Sequence, residues 1–141
     1  MEKKKFNMGL SDIILLVVSV AFLVGSFMVF APCKEPMENG MWMSCHWAGR
    51  AVSGIAAVLV VLALIHAFLA ENKSKFGVGI SMIPVALLAA VIPNNLISLC
   101  KMNTMRCHSV MTPGTIVMCV IVIAAVAFDL VMQNKRTKNN A

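Results

Sequence analysis

The stretch WAGRAVSGIAAVLVVLALIHAFLA, residues 47–70, decides the fold. It carries no charged side chain between Arg50 and His66. An α-helix of this length, rising about 1.5 Å per residue, crosses a hydrocarbon core of about 30 Å. A buried helix of a soluble domain needs a polar stripe for its outer face, and this run has almost none. Three more runs share the character: 10–31, 76–99 and 113–132. The expectation is an all-α integral membrane bundle of four spans, forming one domain over residues 1–141.

Composition agrees. Of 141 residues, 60% are hydrophobic and 13% charged, whereas soluble domains run near 45–50% and about 25%. The net charge of +6 lies in the gaps between apolar runs. With no tyrosine and no aromatic ladder to stack bases, nucleic acid is excluded as a partner.

The first run follows Lys3, Lys4 and Lys5 and so resembles a secretion signal. It is longer than the usual signal core of about 7–15 residues. Pro32 also sits beside the only small-residue cleavage position, so a retained helix is expected. Orientation follows from the basic residues. With the N-terminus inside, Lys3, Lys4, Lys5, Lys73, Lys75, Lys135, Arg136 and Lys138 face the cytoplasm, and only Lys34, Arg50, Lys101 and Arg106 face out. The positive-inside rule then puts both termini in the cytoplasm of a bacterial cell membrane. The connection 71–75 is short, making spans two and three antiparallel neighbours. Thr112 reads as an N-cap before Pro113 in the first turn of span four. Pro84 lies inside span three. Gly49, Ser53 and Ala57 form a small-residue ridge suited to close helix packing.

The outer loops, 32–46 and 98–112, share an element. Cys33 precedes Met43-Ser44-Cys45-His46, and Cys100 precedes Met105-Arg106-Cys107-His108. Each loop thus has a cysteine at the end of an outgoing helix and Met-x-Cys-His before the returning one. That suggests two pseudo-repeated helical hairpins. Four cysteines on an oxidising face are most simply two disulfides. Three pairings are open. Cys33–Cys45 with Cys100–Cys107 is favoured, because each bridge closes one loop and would stabilise by roughly 2–3 kcal/mol. Cys119 stands apart, inside span four.

The cap admits sharper readings. Two outer cysteine pairs on a four-helix bundle fit a quinone-linked thiol–disulfide oxidoreductase, with Arg50 placed to anchor a quinone oxygen. Such enzymes carry Cys-x-x-Cys, whose tight spacing tunes the thiolate, and it is absent here. Cys, His and Met also suit copper or zinc, with Met37, Met41, Met43, Met102, Met105 and Met111 nearby. No closed zinc motif is present. Trp42 and Trp47 suit the membrane interface or a docked partner protein.

The segment Cys45-His46-Trp47-Ala48-Gly49-Arg50, with Met105–His108, resembles an uncharacterised family of small bacterial four-span membrane proteins. That family shows Cys-His-Trp-x-x-Arg opening its second helix and Met-x-Cys-His before its fourth. The similarity covers nearly the whole chain. It implies an accessory role beside ABC transporters of the macrolide-exporter or lipoprotein-release type. It marks Cys45, His46, Trp47, Arg50, Cys107 and His108 for testing; nothing carries over to Ser109-Val110-Met111.

Within the membrane, His66 and Asp129 sit at similar depth near the inner boundary, where they can pair or be neutralised by Lys135 or Arg136. Intramembrane ionisable groups are functional candidates by default. Asp12 opens span one, where a carboxylate suits the helix dipole. Asn94 and Asn95 lie near the outer end of span three. No nucleophile–base–orienter set, phosphate loop or zinc-protease helix appears. The favoured reading is therefore a non-enzymatic membrane protein without a required cofactor. It sits in the lipid bilayer, is open to self-association, and is partnered by a transporter such as an ABC permease. The thiol–disulfide enzyme ranks second and a copper or zinc site third. A reporter fused to either terminus is expected to report from the cytoplasm; an outside signal from either end overturns the topology.

Overall fold

A computed structural model describes residues 9–28, 38–41, 44–69, 71–97 and 107–139. Four α-helices follow in chain order: α1 Leu10–Met28, α2 Ser44–Phe68, α3 Asn72–Val91 and α4 Thr112–Asn139. Each is long and apolar enough to cross a membrane. Neighbours in sequence pack together, and α1 closes against α4, giving a ring in chain order. The contacts are most extensive within α1–α2 and α3–α4, the two expected hairpins.

Every helix buries one seam. On α1 it is Asp12, Leu15, Ser19, Phe22 and Ser26. On α2 it includes Val52, Ala56, Leu59, Ala63 and His66, and on α3 Lys75, Met82, Ala86 and Ala89. On α4 it is Thr115, Cys119, Val122, Val126, Asp129 and Gln133. The steps alternate between three and four residues, the periodicity of helices wound around one another with a left-handed supercoil. Phe22, Leu59, Met82 and Met111 supply bulk, and alanines on α2 and α3 let the helices approach. The outward faces carry Val17, Val20, Val24, Val58, Val61, Leu87, Val117 and Val120, an apolar surface that water would not tolerate and lipid covers.

Several expectations change. The Gly49–Ser53–Ala57 ridge is not the packing seam: Gly49 is buried, Ser53 half-buried and Ala57 exposed. A strict spacing of four drifts about 40° per step around a helix, so it leaves the interface within two steps. Thr112 is no N-cap. A π-helical turn, Cys107–Met111, runs directly into α4, and the Thr112 hydroxyl is buried without a partner. Another π-helical turn, Ile92–Leu96, ends span three, so its α-helix stops at Val91. At the end carrying both termini, α3 and α4 extend beyond the expected spans, to Asn72 and Asn139. The runs also hold more interior polarity than a stripe-free reading implied, with Asp12, Ser19 and Ser26 all on the α1 seam.

The cap is outside what the structure describes. Cys33, Met43, Cys100 and Met105 lie outside the described residues, as do the side chains of Cys45, Cys107 and His108. Among the described residues Cys119 is a free, buried thiol.

Phe22 is 0% exposed and Phe27 64% exposed, on the same helix. Lipid replaces apolar contacts but cannot fill a void inside the bundle. Phe22→Ala is therefore expected to lower stability by about 2 kcal/mol, mainly the cavity contribution. Phe27→Ala should stay within about 0.5 kcal/mol. Reversible unfolding in mixed micelles reads both, and equal losses would refute the assigned seam.

Candidate functional site

The seams carry their charged residues to one place. Asp12 is the third residue of α1, and its Oδ2 accepts the Gly9 amide at 3.1 Å. That is half of a capping box, in which a side chain closes the helix start it belongs to. The same oxygen accepts Lys75 Nζ from α3 at 2.6 Å. His66 of α2 reaches both ways, with Nδ1 3.4 Å from Asp12 Oδ1 and Nε2 3.0 Å from Asp129 Oδ2 of α4. One turn along α4, the Gln133 amide nitrogen donates to Asp129 Oδ2 and lies 3.1 Å from His66 Nε2. All four helices contribute, and every member is buried.

This cluster differs in kind from the other interior polar groups. Ser19 donates to the Leu15 carbonyl at 2.9 Å, Ser26 to Leu23 at 2.7 Å and Thr115 to Met111 at 2.7 Å. Those hydroxyls are satisfied by their own helix and need nothing across the bundle. In the cluster, His66 Nδ1, Asp129 Oδ1 and Gln133 Oε1 are buried without a hydrogen-bond partner. The Asp12–His66 approach at 3.4 Å is an ionic contact and not an aligned hydrogen bond. Two carboxylates face one ammonium, so with a neutral imidazole the site carries one uncompensated negative charge. In a low-dielectric interior such an excess is costly unless a cation or proton answers it.

A groove of about 250 Å³ opens at the same end, lined by Lys73, Phe76, Gln133, Asn134 and Thr137. Gln133 belongs to both, so the groove abuts the cluster.

The structure brings His66 and Asp129 together, as pairing at equal depth required. The cation at the site is Lys75; Lys135 and Arg136, the expected neutralisers of Asp129, are exposed. Arg136 instead lies over Gly9, where an added Cβ would come within 3.2 Å of its guanidinium. The cap motif is elsewhere. His46, Trp47 and Arg50 occupy the opposite end of α2, about 30 Å from His66 by helix rise. There Trp47 and Arg50 are exposed, and the Trp47 ring meets His46 edge-on at 6.0 Å. Asn95 is exposed, and the Asn94 side chain is outside the described residues.

Sequence reasoning missed Lys75 and Gln133. Lys75 read as a loop charge, and span four was closed at Met132. The missed signal was the seam itself: Gln133 is one step of four beyond Asp129, and Lys75 lies seven residues before Met82.

Residues 15–132 match a family described as a domain of unknown function, DUF4418. The match spans most of the chain, and the chain belongs to that family. No curated protein and no solved structure matches it.

Removing one partner of a buried ion pair strands the other charge. Lys75→Met is expected to cost about 3 kcal/mol, and adding Asp12→Asn should restore most of it. A double-mutant cycle by unfolding in micelles measures this; a neutral Lys75→Met would show that the pair does not hold the bundle.

Proposed function

We propose that this member of the DUF4418 family is a non-enzymatic accessory or assembly subunit of a membrane transporter. It would sit in the bacterial cytoplasmic membrane with both termini in the cytoplasm. The carrying observation is the interior. From Leu15 to Val126 the seams interdigitate as one apolar core, and the seam hydroxyls bond back to their own helices. A packed, dry centre suits a chain that works through its outer surface better than one passing a solute along its own axis. Among the described residues the buried charged side chains gather at one end of the bundle, and the Cys/His/Met pattern falls in the loops at the other end of the spans. The excess of Lys and Arg around the termini supports the orientation.

The partner of choice is a permease of the ABC type, with the exposed Trp47 and Arg50 and the apolar outer faces of the helices available to it. Trp and Arg are the residues most often found to anchor such contacts. A quinone-linked thiol–disulfide enzyme and a copper or zinc site in the cap rest on the cysteine, histidine and methionine pattern alone.

One preparation separates the three. The full chain is tagged, cross-linked in native membranes, and purified for mass spectrometry of partners, cap thiols and metals. Recovery of a permease in fixed ratio, with the cap cysteines in two disulfides, is the expected result. A chain recovered alone refutes the accessory role. Metal held by free cap thiols, or reversible oxidation of Cys45 or Cys107 by a quinone, moves the function to the corresponding alternative.

A further inference from the structure

We propose that Asp12, His66 and Asp129, with Gln133 as a fourth donor, form a binding site for one divalent transition-metal ion at the end of the bundle carrying the termini. This site is separate from the cysteine cap and independent of the accessory reading above.

Three helices each place one donor atom of this set within 4.8 Å of the other two. An imidazole with two carboxylates is a borderline-to-hard set suited to Zn²⁺, Mn²⁺ or Fe²⁺, and without thiolate it does not favour Cu(I). The atoms left over point the same way. Oδ2 of Asp12 is held by Lys75 and the Gly9 amide, and Oδ2 of Asp129 by Gln133 and His66 Nε2. What remains is Asp129 Oδ1, His66 Nδ1 and Gln133 Oε1, each buried and without a hydrogen-bond partner. Asp12 Oδ1, 3.4 Å from His66 Nδ1, completes the set. Buried polar atoms without partners are costly in a low-dielectric interior, and a bound cation offsets that cost.

The outer contacts are those a metal site needs. Lys75 and the Gly9 amide orient Asp12 from behind. The charge balance is favourable, because two carboxylates exceed one ammonium by a single negative charge. Metal–donor bonds of about 2.1 Å hold neighbouring donors about 3–3.5 Å apart. The widest separation, 4.8 Å, therefore has to close by roughly 1.3–1.8 Å when the ion enters. The groove lined by Lys73, Phe76, Asn134 and Thr137 shares Gln133 with the site. The rival occupant that the same charge balance admits is a proton on His66.

The test uses the full chain in detergent micelles, stripped with a chelator, with the cap thiols reduced and alkylated so that they cannot bind. Zn²⁺ is titrated calorimetrically. One Zn²⁺ per chain is expected. His66→Gln and Asp129→Asn should each weaken binding about 100-fold, at or beyond the upper end of losses seen for residues that only support a ligand. Gln133→Glu, which adds a third carboxylate, should tighten it about 10-fold, a gain that a damaged fold would not produce. Glu38→Gln, at an exposed turn outside the helices, should change nothing. Helical circular dichroism and elution position check that each variant is folded. Failure to bind Zn²⁺ at millimolar concentration overturns the proposal, as does binding indifferent to His66, Asp129 and Gln133.

Discussion

The constraint on which the rest depends is that hydrocarbon gives a charged side chain nowhere to go. Asp12, His66, Lys75 and Asp129 lie on four different helices, and each would be expensive facing lipid. They reach partners only if all four seams converge at one depth. The salt bridge Lys75–Asp12 and the contact His66–Asp129 meet that condition, linking α3 to α1 and α2 to α4. His66 joins the two pairs through its approach to Asp12. The charged cluster thus ties together the two diagonals of the ring, which share few contacts of their own.

Apolar packing alone would not choose this arrangement. The seams are built from Ala, Val, Leu and Met, and helices with such faces can exchange neighbours or slide by a turn at small cost. A buried ion pair is not clearly more stable than an apolar replacement of equal volume. Its value lies in what it forbids. A shift of α4 by one turn, about 5.4 Å, would take Asp129 away from His66 and leave His66 only its approach to Asp12. The back-bonded hydroxyls of Ser19, Ser26 and Thr115 are neutral to such a shift, because their partners move with them. Register therefore rests on the charged end of the bundle, while the rest of the seam supplies contact area.

This division explains what could be read from the sequence. Four helices long and apolar enough to span a membrane were legible because length and apolarity act locally. The closeness of His66 and Asp129 was legible from depth, which needs only residue counting. Lys75 and Gln133 were hidden because both lie past the last strongly apolar residue, where hydropathy ends a span but the helix continues. The Gly49–Ser53–Ala57 ridge misled for the opposite reason: a pattern of four looks regular in sequence, yet only alternating three and four stays on one face. The helix order around the ring depends on contacts between seams and had no local signature. The Cys and His repeat remains a statement about sequence, because its cysteine side chains and that of His108 lie outside the described residues.

The placement of the cluster also bears on how the two ends can influence each other. Helix α2 carries Cys45, His46, Trp47 and Arg50 in its first turns and His66 in its last, with buried Val52, Ala56, Leu59 and Ala63 between them. A packed helix of this kind resists local deformation, because close-packed interiors have low compressibility. His66 is thus held to α4 at one end of a helix whose other end carries His46, Trp47 and Arg50. Were a change at one end to alter the other, reciprocity would make the two effects equal in free energy. The buried seam of Val52, Ala56, Leu59 and Ala63 is the element that joins the two ends of α2.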